Sequence, residues 1–140
     1  MPSAEQVYAP KPESVRSARW YCVDYLRQVL VGTDDAVESI LDDARLVVSE
    51  LVTNAVQTDP TEVRLRVAAT EGLVRIVVSD TGTGTPSSEH PHPTTEHGRG
   101  LWIVEQTALR WGTTTLPGGK EVWAEIAFAG DVLSLDDHDD

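Results

Sequence analysis

The chain has 140 residues, 40 % of them hydrophobic, enough for one domain with a real core. It carries 23 Asp and Glu against 11 Lys and Arg, a formal net charge of −12. Such a surface repels phosphate backbones and anionic lipid, which argues against direct nucleic-acid or membrane binding and for a basic or mixed protein surface as partner. Cys22 is the only cysteine, so an internal disulfide and a cysteine-rich zinc site are excluded.

The first twenty residues hold no apolar run of signal-peptide length, and no stretch approaches the ~18 apolar residues of a membrane span. A cytoplasmic location is the expectation. Residues 1–13, with Pro2, Pro10 and Pro12, read as a loose arm with a short edge strand around Gln6–Tyr8. Ser14 is placed to cap a helix running to about Val31, with Val15, Ala18, Cys22, Leu26, Val29 and Leu30 at helical spacing and Gly32 ending it.

A second helix is expected from Asp34–Asp35, whose carboxylates suit the positive end of the helix dipole. Val37, Leu41, Ala44, Val48, Leu51 and Ala55 form its apolar stripe, and it stops before Pro60. Val63, Leu65, Val67 and Ala69 alternate with Arg64, Arg66 and Ala68. After Glu71-Gly72 the more apolar run Leu73–Ser79 completes an antiparallel hairpin. Residues 81–97 are Gly, Pro, Ser, Thr and His and read as a mobile loop. A third helix starts at about Gly100 with Leu101, Val104, Ala108 and Trp111. Thr113–Leu116 and Val122–Phe128 close the domain as a hairpin around Pro117-Gly118-Gly119, and the Asp-rich residues 130–140 read as a solvated tail. Trp102, Trp111 and Trp123 fall on apolar faces and are expected in the core. The pattern is α+β: a two-layer sandwich of a mainly antiparallel sheet with helices on one face, the domain spanning 14–129.

Three strings carry the chemistry: Glu50-Leu-Val-Thr-Asn54, Asp80-Thr-Gly82-Thr-Gly84 and Gly98-Arg99-Gly100-Leu101. Glu50 and Asn54 lie one helical turn apart, about 6 Å along the axis, on nearly one face. An Asn oxygen with phosphate oxygens suits Mg²⁺, and a carboxylate one turn away can deprotonate a hydroxyl. An ordinary surface Glu and a helix-end Asn are the alternative. Asp80 ends an apolar strand, where a carboxylate needs donors such as an adenine amino group, while Gly82 and Gly84 permit close approach to a flat base. A glycine turn with a self-satisfied Asp is the competing reading. Gly98 and Gly100 leave helix N-terminal amides open to phosphate and Arg99 adds a cation, against a plain helix start. His90, His92 and His97 have no cysteine beside them, and Pro91 and Pro93 favour an extended loop over a zinc site.

Together the strings resemble the N, G1 and G2 boxes of the GHKL superfamily (gyrase, histidine kinase, MutL). The resemblance is nearest to its anti-sigma-factor-like serine/threonine kinase branch and covers Ser14–Phe128. It implies a Bergerat-type fold of the histidine-kinase-like ATPases that binds ATP with Mg²⁺. Asn54 would ligate Mg²⁺, Glu50 would act as base, Asp80 would hold the adenine amino group, Gly82 and Gly84 would line the base, and Gly98, Arg99, Gly100 and Leu101 would sit by the phosphates under a lid at 85–97. The implied partners are a sigma factor and a STAS-domain anti-anti-sigma factor phosphorylated on serine, with homodimerisation through the sheet or the first helix. Gln57, Thr58, Asp59 and Glu121 depart from the branch's pattern, and an inward Glu121 or Asp59 would repel triphosphate. Three functions follow: a serine/threonine protein kinase that sequesters a sigma factor, a non-catalytic module that masks a partner with or without nucleotide, and a histidine kinase fragment, for which a long dimerising helix with a phosphoacceptor His is missing from the sequence.

Overall fold

The computed structural model describes residues 3–58, 60–81 and 96–133, with only the backbone for 96–99. In chain order the elements are β1 (Ser3–Tyr8), α1 (Glu13–Val29), β2 (Leu30–Val31), α2 (Asp34–Val56), β3 (Val63–Thr70), β4 (Leu73–Asp80), α3 (Glu96–Thr107), β5 (Arg110–Leu116), β6 (Gly119–Ala127) and β7 (Asp131–Val132). The main sheet has the order β1-β3-β4-β6-β5, antiparallel throughout. The helices pack on one of its faces, which is the α+β architecture expected. No described helix is long and apolar enough to cross a membrane.

The second helix starts where its sequence directs. Thr33 Oγ1 accepts the Ala36 N–H at 3.1 Å, with Asp34 and Asp35 in the first turn. Its buried side is wider than the expected stripe, adding Ile40, Val47 and Val52, because α2 is packed against α1, α3 and the sheet at once. The facing sheet surface is Val63, Leu65, Val67 and Ala69 of β3, Val74, Ile76 and Val78 of β4, and Val122, Ala124 and Ile126 of β6, all in one buried cluster with α2 and Cys22.

Several segments differ from the sequence reading. The edge strand covers Ser3–Tyr8, longer than read, and is tied to α1 by Tyr21 Oη donating to the Glu5 carbonyl at 2.9 Å. Ser14 is not the cap of α1: Pro12 holds that position, and the Ser14 hydroxyl donates to the Ala9 carbonyl at 2.6 Å. Leu30–Val31 leave the helix to pair with Asp131–Val132, so the segment read as a tail begins as a strand; residues 134–140 lie outside the described residues. Trp111 belongs to β5 rather than α3, and Trp102 is 58 % exposed rather than core.

Register orders the solvent face as strictly as the core face. Arg75, Glu125 and Arg110 stand opposite one another on three adjacent strands. Arg75 Nη1 donates to Glu125 Oε2 at 2.6 Å and Arg110 Nε donates to Oε1. The Arg75 guanidinium also lies 4.7 Å over the Trp123 ring, and a Cβ on Gly112 would come within 2.8 Å of that ring.

The hydrogen bond from Arg110, reinforced by Arg75 against the opposing effect of burial, holds the Glu125 carboxyl below its ordinary 4.5. A group whose folded pKa is depressed stabilises the fold above its unfolded value and loses that contribution as pH falls through the folded one. Urea unfolding of wild type should therefore weaken from pH 5 towards pH 3. Glu125→Gln should be less stable at pH 7 by about 1 kcal/mol after screening at the two arginines, with a flatter acid dependence. Equal acid slopes for the two proteins would count against the ion-pair account.

Candidate functional site

The candidate residues fall in two clusters. The first is on α2. Asn54 is 7 % exposed, and its Oδ1 has no hydrogen-bond partner among the described residues. A buried amide oxygen without a donor costs about 1–3 kcal/mol. Glu50, one turn earlier on α2, is half-buried and close to α3. A Cβ built on Gly100 would lie 2.7 Å from Glu50 Oε1, so the glycine is what lets α3 approach the carboxylate.

The second cluster is at the end of β4. Asp80 faces the helices, opposite Val63 and Lys120 in register, and is 5 % exposed. Lys120 Nζ donates to its Oδ2 at 3.1 Å. Gly119 passes so near the Asp80 carbonyl that a Cβ there would overlap it, at 1.9 Å. Lys120 is the site residue that the motif reading missed. Its signal was the alternation itself: Val122 is core, so Lys120 turns inward and Glu121 outward. Glu121 accordingly stands between Ser79 and Thr114 on the solvent face and does not crowd the site.

Of the motif residues, the structure brings Glu50 beside Gly100 and buries Asn54 and Asp80. Leu101 is half-buried on α3. That helix starts at Glu96, earlier than read, so Gly98 and Arg99 contribute first-turn backbone amides while Gly100 already lies inside the helix. Gly82, Gly84, Asp59, the expected lid at 85–95, His90 and His92, and the side chains of His97 and Arg99 lie outside the described residues. Of the departures at the end of α2, Thr58 is local: its Oγ1 donates to the Ala55 carbonyl at 2.8 Å and closes the helix. Among the described residues no group of three His, Cys, Asp or Glu could hold a metal ion. An Asn oxygen is a ligand type that suits Mg²⁺, which keeps several waters and phosphate oxygens.

The fold and these clusters define an ATPase-type α+β sandwich. The chain belongs to the histidine kinase-, DNA gyrase B- and HSP90-like ATPases, whose family model matches residues 40–130. Among solved structures it is similar to the mycobacterial sensor histidine kinase MprB, with 22 % identity and a TM-score of 0.44 over 64 % of this chain and 73 % of that one. A search of curated proteins finds no match.

Two substitutions probe the geometry. Gly100→Ala should push the flexible end of Glu50 aside and gain up to about 1 kcal/mol from helix propensity. A loss of stability in urea would show instead that Glu50 cannot yield. Lys120→Met should lower stability by about 2 kcal/mol, since it strips a charged hydrogen bond from a buried carboxylate. An unchanged melting temperature would mean that the Lys120–Asp80 pair does not form in solution.

Proposed function

We infer that this chain is an ATP-binding, anti-sigma-factor-like regulator that transfers phosphate to a serine hydroxyl of a STAS-domain antagonist and sequesters a sigma factor. The single observation that carries the nucleotide reading is Asn54 Oδ1, a buried oxygen with no hydrogen-bond partner among the described residues. In this reading Asn54 holds Mg²⁺, Asp80 accepts from the adenine amino group, and the first-turn amides of α3 with Arg99 meet the phosphates. Gly82 and Gly84 line the base. When bound, Mg-ATP supplies the phosphoryl group, and catalysis is mainly positioning and charge neutralisation. Glu50, held by its contact with α3, takes the proton from the acceptor hydroxyl. The net charge of −12 supports a basic protein surface as partner, and a second copy pairing through the sheet or the first helix belongs to the same proposal.

One observation favours a second reading, a module that masks its partner without catalysis. Lys120 already engages the carboxylate assigned to the base, so adenine must share Asp80 with an ammonium group. Calorimetry with Mg-ATP and labelled phosphotransfer to a STAS protein separate the two. The kinase reading expects binding that weakens at least tenfold in Asn54→Ala, and transfer that falls at least a hundredfold in Glu50→Gln. Binding without transfer selects the masking module. Equal heats for wild type and Asn54→Ala remove the metal assignment.

A further inference from the structure

α1 and α2 enclose a groove of about 320 Å³ lined by Arg16, Arg19, Trp20, Val23 and Arg45. Arg16, Arg19, Trp20 and Val23 are spaced i, i+3, i+4 and i+7, so they form one stripe about 10 Å long on α1. The contacts of Arg19 with Ser49 and of Arg27 with Glu38 show that α2 runs antiparallel beside it. Arg45, one turn before Ser49, therefore stands level with Val23 and not with Arg16. Along the groove the order is two guanidiniums, an indole that is 60 % exposed, then a valine with the third guanidinium.

The charge at the first end is uncompensated. Elsewhere in this acidic chain the cations hold carboxylates: Arg27, Arg45, Arg64, Arg75, Arg110 and Lys120 each make an ion pair. Arg16 has no carboxylate partner among the described residues, and Arg19 Nη1 donates only to the Ser49 hydroxyl, at 3.3 Å. Arg45 is already paired with Asp42 at 2.8 Å, so the attraction for an anion is greatest at Arg16 and Arg19. These two lie one helical turn apart, close enough for both forks to meet one anion with several oxygens. A phosphate monoester is such an anion, with close to two negative charges and three acceptor oxygens. The volume is at the small end of ligand sites and holds a ring and a phosphate, not a protein segment. A net charge of −12 also repels a whole acidic partner far more than one small anion.

We propose that the groove between α1 and α2 binds a small phosphate monoester that carries a flat ring, with the phosphate on Arg16 and Arg19 and the ring on Trp20 and Val23. The indole supplies a stacking surface that no described aliphatic neighbour could replace, and Val23 closes the apolar floor. The phosphate sets the direction of the ligand, and the ring distinguishes it from a free inorganic anion. The inference does not depend on nucleotide binding near Asn54.

Nuclear magnetic resonance on the full chain tests it, with phenyl phosphate as the probe in magnesium-free buffer. The Trp20 indole N–H signal (assigned through Trp20→Phe) should shift and saturate. Affinity should fall at least tenfold in Arg16→Gln/Arg19→Gln, and should weaken in wild type as salt rises from about 50 to about 500 mM. Inorganic phosphate alone and phenol alone should each bind at least tenfold more weakly than the ester. Absence of a saturable shift overturns the proposal. Equal affinity of the double variant overturns it, and so does equal affinity for inorganic phosphate. An indole signal that follows protein concentration and not the ester also overturns it, and would mark the groove as covered by a second copy.

Discussion

The burial of α2 between α1, α3 and the sheet is the constraint on which the rest of the molecule depends. Eight apolar side chains of this one helix are buried, and Asn54 is buried with them. Each large one contributes about 1.5–3 kcal/mol on removal from water, so the helix as a whole gains several times the cost of one unsatisfied amide oxygen. That surplus is why a polar atom with no partner among the described residues persists at a fixed place in the fold. The same packing fixes Glu50, one turn back, against the α3 backbone at Gly100. The chemistry of the site is therefore a by-product of where a hydrophobic stripe happens to end.

Sheet register does for Asp80 what helix packing does for Asn54. Asp80 is the last residue of β4 and continues the inward row of Val74, Ile76 and Val78. A carboxylate on that row needs donors, and the hairpin of β5 and β6 places Lys120 opposite it. One residue further along β6, Glu121 falls on the other face. The two sides of the sheet thus solve the same problem differently. Glu125 is shared by two arginines in reach of water, whereas Asp80 has a lysine in the interior. Truncating one partner of the interior pair is the costlier change, because water cannot replace it.

The long periodic elements were legible in the sequence for physical reasons. The stripe of α2 and the alternation of β3 and β4 each repeat over several turns or residues, and burial on one face imposes that repeat. The pair β2 and β7 has two residues on each side, too short for any period to show. Leu101, Val104 and Ala108 continue to Trp111 at helical spacing, which places it on α3 in the sequence. Yet the helix ends at Thr107, and the strand that follows packs the same tryptophan against the same core from β5. Glu50, Asn54 and Asp80 were recognisable as motif residues, but not the state of their neighbours. Lys120 was overlooked because its meaning comes from facing Asp80 across a strand, a relation between positions 40 residues apart. The sequence showed the alternation; only the pairing of β4 with β6 turns it into a contact.

The two sides of α2 are connected through adjacent residues. Ser49, whose hydroxyl accepts from Arg19 and donates to the Arg45 carbonyl, directly precedes Glu50. The groove of arginines and the site with Glu50 and Asn54 therefore share one helix as a wall, and a close-packed interior passes a displacement of that wall from one side to the other. Arg19 is tied to that wall through its hydrogen bond to the Ser49 hydroxyl. In a chain so rich in acid, this is where an approaching anion meets attraction instead of repulsion, and it lies one residue from the group proposed to take the proton.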